Sequence, residues 1–286
     1  MGTQTEIAWT GSTFNPWWGC QKIGQGCEHC YAAALDNRTG GHFFQQGQQP
    51  KTLSESYWQQ PLRWNRQAEK AGQRRKVFCG SMCDWADKNA PAGQRERLWG
   101  LVWETPMLDW QLLTKRASNI HKCLPADWGG GYGNVWLGVT VENRRQGLRR
   151  MEMLKDIPAQ VRFLSIEPLL EDLGTLDLTG IHWVIVGGES EPKARPMKPE
   201  WVENIRIQCA GQSVPFFFKQ WGAWGADGVR RSKGANGREL GGQVYDGYPV
   251  EKLGQAFRNC PEIISLFSAN SERGKIAPPQ CQSAQG

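Results

Sequence analysis

The runs VRFLSI at residues 161–166 and WVIVGG at residues 183–188 are almost continuously apolar, and an acidic residue follows each. Strands buried on both faces have this composition and are typical of parallel sheets covered by helices. Similar runs alternate with helical patterns along the chain, which predicts an α/β fold with a parallel sheet. The predicted strands cover residues 6–10, 76–80, 110–114, 135–141, 161–166, 183–187 and 215–219, and the predicted helices cover 30–37, 93–104, 144–155 and 199–210.

Polar residues follow the carboxyl end of almost every predicted strand. A (β/α) barrel gathers its active site at that end of its strands. We therefore expect a TIM-like (β/α) barrel, full or partial, rather than an open doubly wound sheet. The polar strand ends are Asp84 with Asp87, Lys115 with Arg116, Glu142 with Asn143, Glu167, Glu189, and Lys219 with Gln220.

The composition is that of a folded, non-membrane protein. The chain has 286 residues with 39% hydrophobic and 22% charged residues, and no apolar run approaches the ~20 residues of a membrane span. We expect a cytoplasmic protein without a membrane partner, in which nine cysteines stay reduced. The net charge of +6 fits a polyanionic partner, although many other enzymes are equally basic.

Three segments are predicted along the chain. Residues 1–250 form one barrel domain, which includes a cysteine loop at 15–31 and a Gly-rich loop at 222–242 that carries Arg230, Arg231 and Lys233. A helical extension follows at 251–267. The polar tail at 268–286 is expected to be disordered.

Three cysteines lie close together between the first predicted strand and the first helix. They are Cys20, Cys27 and Cys30, in the segment NPWWGCQKIGQGCEHCY at residues 15–31. Glycines let this backbone curl, so that the three thiolates can converge on one point. Three ligands on a [4Fe–4S] cluster leave one iron open to S-adenosylmethionine, which then supplies a 5′-deoxyadenosyl radical.

A structural zinc site is the alternative, with His29 or Cys83 as the fourth ligand. Cys79 and Cys83 could also complete a four-cysteine set. Structural zinc sites commonly use two close ligand pairs, and only one close pair is present here. A different iron–sulfur role also remains open.

The cysteine loop and three later motifs, SIEPLL, GGES and PFFFKQWG, resemble phage-associated proteins that carry a three-cysteine motif and are similar to radical S-adenosylmethionine enzymes. The resemblance covers residues 5–224. The chain departs from the commonest radical-enzyme spacing, because six residues rather than three separate Cys20 from Cys27. His29 also stands where an aromatic residue is usual.

The resemblance implies roles for several strand-end residues. Gly80, Ser81 and Asp84 would bind the methionine amino group of S-adenosylmethionine. Thr140 and Glu142 lie on one strand face, because side chains alternate with period two, and would bind its ribose. The substrate or catalytic candidates are Lys115, Glu167, Glu189, Lys219 and Gln220. Glu167 could instead form a structural ion pair with Arg162 or Lys219.

The leading hypothesis is a radical S-adenosylmethionine enzyme, phage-encoded and active in the host cytoplasm on a nucleobase or nucleotide. DNA base hypermodification, such as isomerisation or carbon–carbon bond formation on a modified thymidine, is the candidate reaction. DNA or a nucleotide is then a partner, and an electron donor such as flavodoxin or ferredoxin is required. The alternatives are a zinc-containing nucleobase-exchange barrel and a non-catalytic iron–sulfur protein that binds nucleic acid.

Overall fold

The computed structural model describes residues 5–249, and residues 5–248 form one compact unit. The predicted extension at 251–267 and the tail at 268–286 lie outside the described residues. No helix within the described part is both long and apolar enough to cross a membrane.

Seven parallel strands form one curled sheet in the order of the chain, which is a half-barrel. The sheet strands are β1 (Ser12–Phe14), β4 (Arg75–Cys79), β5 (Leu108–Thr114), β6 (Val135–Thr140), β7 (Val161–Ile166), β8 (Trp183–Gly187) and β9 (Phe216–Gln220). The two short antiparallel pairs are β2 (Trp17–Trp18) with β3 (Lys51–Thr52), and β10 (Glu239–Leu240) with β11 (Gln243–Val244). The predicted α/β architecture and partial barrel are therefore confirmed.

The helices lie between strands in the chain, and most of them pack on the convex face of the sheet. They are α1 (Tyr31–Arg38), α2 (Glu55–Trp58), α3 (Gln60–Ala71), α4 (Gln94–Glu104), α5 (Ile120–Cys123), α6 (Arg149–Lys155), α7 (Pro199–Gly211) and α8 (Lys233–Asn236). A wide helical turn at Arg144–Leu148 precedes α6. Outward-facing strand residues pack with the helices in one large core, which includes Val77, Leu112, Val139 and Val186.

The first strand and the longest unpredicted helix are the main differences from the sequence-based expectation. Residues 6–10 form a turn, in which Thr10 N–H donates to Ile7 O at 3.2 Å, and the first strand begins only at Ser12. The apolar pattern there reflects Trp9, whose ring packs inside the half-barrel. Helix α3 was not predicted, because its sequence is mostly polar with a proline in its first turn.

Candidate functional site

The alternation of side chains along each strand separates two faces of the curled sheet. Aromatic rings fill the amino-terminal end of the concave face. Trp183 on β8 lies at the centre of this aromatic floor, with ring centroids 6.0 Å from Trp9 and 5.7 Å from Phe163. The other rings that contact this group belong to Phe78, Trp136, Phe217 and Tyr248. The floor excludes water from the base of the half-barrel.

Polar side chains occupy the same concave face at the carboxyl end of the strands. Lys219 lies two residues after Phe217 on β9, towards the carboxyl end of the strand. Glu167 lies four residues after Phe163, just beyond the end of β7. The same alternation brings Lys115, Thr140, Glu142 and Glu189 to this edge. The sequence therefore predicted correctly that polar strand-end residues share one end of the sheet, because all seven strands are parallel.

The cysteine loop lies at this carboxyl edge, between β2 and α1. Cys27 is buried, and Cys20 and Cys30 are partly exposed. Burial raises the pKa of the Cys20 thiol, and the nearby Asp84, Cys30 and Cys27 raise it further. Cys27 and Cys30 are thus close enough to Cys20 to influence its thiol. Among residues 5–249, however, no three His, Cys, Asp or Glu side chains are already arranged to hold a metal ion.

A buried ion-pair group holds the Cys20 side of the loop. Arg116 lies 2.9 Å from Asp84 and 2.9 Å from Asp87, and its Nη2 donates to Gln21 O at 2.6 Å. Gln21 N–H donates to Asp87 Oδ2 at 3.2 Å. Both backbone polar groups of the residue after Cys20 are therefore fixed.

A second ion-pair group holds the Cys27 and Cys30 side. Arg195, in the loop after β8, donates to Glu189 Oε1 at 2.5 Å, to Glu28 Oε2 at 3.0 Å and to Gln25 O at 2.9 Å. His29 Nδ1 lies 3.1 Å from Glu189 Oε2. Burial raises the pKa of Glu189, but hydrogen bonds from Arg195 and His29 outweigh it and leave the pKa below its ordinary value.

Glycines let the loop approach its neighbours closely, as at Gly19 and Gly26. Gly19 has a φ of +109°, and a Cβ there would lie 2.4 Å from Phe43 O. A Cβ on Gly26 would lie 2.8 Å from Glu142 Oε1, because the loop passes directly over this carboxylate. The loop is therefore packed closely against both neighbours.

The candidates expected to bind S-adenosylmethionine are only partly available. Ser81 Oγ bonds to Asn15, and Ser81 O accepts from Tyr31 Oη at 2.8 Å. Gly80 has a φ of +102° and forms the turn after β4. Asp84 is engaged within the chain by Ala86, Thr114, Lys115 and Arg116. The structure thus points to a loop-holding role for Asp84 instead of the expected contact with an ammonium group.

Thr140 and Glu142 share the concave face, as their spacing predicts. Glu142 is fully buried, and its Oε2 accepts from Arg150 Nη1 at 2.5 Å. Its Oε1 has no hydrogen-bond partner among the described residues. Thr140 Oγ1 accepts a long bond of 3.5 Å from Lys115 Nζ. The unpaired oxygen of Glu142 is enclosed in the fold and faces Gly26 of the cysteine loop.

The substrate candidates at the ends of β7, β8 and β9 are all hydrogen-bonded within the chain. Lys219 Nζ donates to Glu167 Oε2, which is the ion pair considered as the structural alternative, and Glu167 Oε1 is buried without a described partner. Gln220 donates to Gly188 O and Ser190 Oγ. Glu189, expected to contact substrate, is instead occupied by Arg195 and His29. Its carboxylate binds the cysteine loop because that loop folds over the end of β8.

Cys79, Cys83 and the Gly-rich loop lie outside the cysteine loop. Cys79 is buried in the helix-covered core. Burial raises the pKa of the Cys83 thiol, and Cys79 and Cys20 raise it further, so both of these thiols lie near Cys83. In the Gly-rich loop, Arg231 pairs with Asp227, and Arg230 lies over the Trp224 ring.

Sequence reasoning missed Arg150 and Arg195. Arg150 lies in a helix pattern, where an arginine is normally expected at the surface. Arg195 lies in an irregular Pro-containing segment without periodicity. Neither position carries a local signal that predicts its partner.

Comparisons with known proteins give a family and one distant structural likeness. A family model described as a protein of unknown function (DUF5131) matches residues 4–249. A mutant of spore photoproduct lyase matches in structure with a TM-score of 0.40 and 11% sequence identity, covering 90% of this chain and 73% of the other. A search of curated protein sequences finds no match.

Proposed function

This chain belongs to the DUF5131 family, and we propose that it is a radical S-adenosylmethionine enzyme whose Cys20, Cys27 and Cys30 hold a [4Fe–4S] cluster. The observation that carries this proposal is the placement of the cysteine loop. Three neighbouring thiols lie in one short loop at the carboxyl edge of a parallel half-barrel, where such folds gather their active sites.

The residue types in the loop suit these cofactors, and the three side chains would have to move together to hold a cluster. Three cysteine sulfurs are the donor set that iron–sulfur clusters prefer. The unpaired Oε1 of buried Glu142 lies beneath Gly26 in the same loop and suits a hydroxyl or ammonium donor. When bound, the cluster and S-adenosylmethionine together supply a 5′-deoxyadenosyl radical.

The chain's own residues would bind and orient the cofactor and the substrate, and shield the site from water. The aromatic floor keeps water from the base of the half-barrel, and Glu142 can accept a hydrogen bond from a cofactor hydroxyl. Glu167 and Lys219 offer a second binding point, since Glu167 Oε1 can accept a hydrogen bond while the Lys219 ammonium can donate one. The ion pair also holds the two side chains in one orientation.

A nucleobase or nucleotide is the proposed substrate, with DNA base modification as the candidate reaction. Nucleobase edges present neighbouring donors and acceptors, which match Glu167 and Lys219. The net charge of +6 and the Arg230, Arg231 and Lys233 loop would attract phosphates. Binding of DNA should weaken steeply as salt rises, and replacing the three cations should flatten that dependence. Equal salt dependence in the triple variant would exclude this loop as the phosphate contact.

The electron donor is proposed to reach the cluster from outside the half-barrel. Ile23 in the cysteine loop and Tyr31 and Leu35 on α1 are exposed apolar side chains beside the cysteines. A flavodoxin or ferredoxin could approach this surface. Replacing Leu35 with Glu should slow reduction by such a protein while leaving reduction by dithionite unchanged.

The decisive activity test is reductive cleavage of S-adenosylmethionine. Anaerobically purified protein with dithionite should release 5′-deoxyadenosine, and Cys27→Ala should abolish the release. Cys209→Ala is the matched control, because Cys209 is buried in the helix-covered core away from the loop. Absence of 5′-deoxyadenosine from iron-loaded protein would contradict the proposal and favour the non-catalytic alternative.

The zinc alternative needs a fourth ligand beside the three loop cysteines. His29 Nδ1 is hydrogen-bonded to Glu189, which leaves Nε2 for a metal ion, as is common for metal-bound histidines. Cys83, which lies near Cys20, is the other candidate. Zinc content that falls in Cys83→Ala would favour this alternative.

A further inference from the structure

The cysteine loop contains little regular structure of its own. Its only helical turn among the described residues is Gln25–Cys27. Cys30 caps α1, where its carbonyl accepts from Ala34 N–H at 3.0 Å. The rest of the loop depends on the groups that hold it from outside. Two separate ion-pair groups do so, one on each side of the loop.

We infer that Glu189 and Arg195 are positioning residues that set the places of Cys27 and Cys30 independently of Cys20. This inference rests on the proposed function, because it assigns the two residues to the cluster site. It replaces the expected substrate contact of Glu189 with a role exerted through the loop.

Arg195 contacts the loop at two points and Glu189 at a third. The Arg195 guanidinium donates to Gln25 O and to the Glu28 carboxylate, while Glu189 contacts His29. Gln25, Glu28 and His29 surround Cys27 and immediately precede Cys30. Charge-assisted, forked hydrogen bonds of this kind are geometrically specific. Movement of Arg195 would therefore release the Cys27 and Cys30 side of the loop.

The Glu189 carboxylate anchors Arg195, because Glu189 is the more deeply buried of the two side chains. Its side chain is 5% exposed, whereas that of Arg195 is 30% exposed. Arg195 binds Glu189 through its backbone N–H, Nε and Nη2. The loop after β8 thus folds back on Glu189 and presents Arg195 to the cysteine loop at the open side of the half-barrel.

The Cys20 side has a different anchor. Gln21 is held by Asp87 and Arg116, and Gly19 N–H donates to Met82 O at 2.9 Å. Neither Arg195 nor Glu189 takes part in these bonds. Loss of Arg195 should therefore loosen two cysteines and leave the third in place, which a general loss of stability would not do.

The test uses the full chain without metal and measures alkylation of each cysteine by iodoacetamide, resolved by mass spectrometry. In Arg195→Ala, alkylation of Cys27 and Cys30 should accelerate about tenfold, as expected for local opening, while Cys20 stays within about twofold. Arg206→Ala is the matched control, because it removes an arginine–glutamate pair on α7. Equal acceleration of all three cysteines, or of none, would overturn the inference.

Arg195→Lys and Glu189→Gln keep the inference testable if Arg195→Ala does not fold. Lysine retains the positive charge but lacks the planar guanidinium, so Arg195→Lys should protect Cys27 from alkylation only in part. If Cys27 and Cys30 are alkylated as slowly in both variants as in wild type, the inference is contradicted.

After anaerobic reconstitution, the altered sulfur positions should shift the electron paramagnetic resonance g-values of the reduced cluster in Arg195→Ala. Unchanged g-values would mean that Arg195 does not set the sulfur positions. Failure of the proposed function is distinguishable. If the wild-type chain binds no iron, Arg195→Ala should still accelerate alkylation of Cys27 and Cys30 selectively.

Discussion

Arg116 Nη1 donates to Asp84 Oδ2 at 2.9 Å, and both side chains are at least nine-tenths buried. The same guanidinium reaches the cysteine loop at Gln21 O. A charged pair at the end of two neighbouring strands is thereby linked to the backbone beside Cys20. Arg116 thus ties two strand ends to the backbone beside Cys20, which Asp87 also holds through Gln21 N–H.

Asp84→Asn should destabilise the fold strongly. Breaking a buried pair leaves an incompletely compensated charge on Arg116, which costs about 3–5 kcal/mol. Urea denaturation of the metal-free protein measures the change. Asp172→Asn is the control, since the Asp172–Arg144 pair is exposed and should contribute less than about 1 kcal/mol. Equal effects of the two variants would argue against the Asp84 anchor.

Trp183→Ala should remove the centre of the aromatic floor. Truncating a buried tryptophan costs about 3–5 kcal/mol of unfolding free energy. Trp183 also donates from Nε1 to Gly247 O at 2.6 Å, so the change removes a hydrogen bond as well. Trp103→Ala, at a side chain that is 71% exposed, should cost less than about 1 kcal/mol. A small effect at Trp183 would contradict the packed floor.

Gly26→Ala should reduce cluster binding without unfolding the chain. The new Cβ would meet Glu142, which cannot move away easily because it is buried and bound to Arg150. Iron content after anaerobic reconstitution should fall, and the shorter carboxylate in a Gly26→Ala, Glu142→Asp double variant should restore part of it. Gly100→Ala, with open space around its Cβ in α4, is the control and should bind iron normally. Normal iron content in Gly26→Ala would contradict this contact.

Glu189 should make stability dependent on pH. Its folded pKa is lowered, so its ionised form stabilises the fold above the usual glutamate pKa of about 4.3. The contribution is lost as the pH falls through the lowered folded value. The difference in unfolding free energy between wild type and Glu189→Gln, measured without metal, should therefore be largest near neutral pH and shrink in acid. A difference that stays constant down to acidic pH would contradict the charged contact.

The regular part of the fold could be predicted from the sequence. The strands Val161–Ile166 and Trp183–Gly187 have the predicted bounds, since continuous apolar runs identify strands that are buried on both faces. The sequence predicts a strand at residues 6–10, where the structure has a turn, because Trp9 is buried through its side chain and not by strand pairing. A short apolar run in the sequence indicates burial, but it does not show whether the residues are buried in a paired strand or only through their side chains.

The site could be predicted only as a collection of residue types. Parallel strands bring their polar ends together, so Glu142 and Glu167 were placed at the correct edge. Their partners were not predictable, because Arg150 and Arg195 reach them through the tertiary fold. The same limitation explains Glu189, whose carboxylate is occupied by an arginine six residues later in an irregular loop.

The central claim is that Cys20, Cys27 and Cys30 hold an iron–sulfur cluster, and metal content tests it most directly. Iron, sulfide and zinc are measured in protein purified without oxygen, in wild type, in the three single Cys→Ala variants and in Cys209→Ala. We expect about four iron and four sulfide per chain in wild type and Cys209→Ala, with marked loss in each of the other three variants. Stoichiometric zinc without iron, or iron that does not depend on these cysteines, would contradict the account.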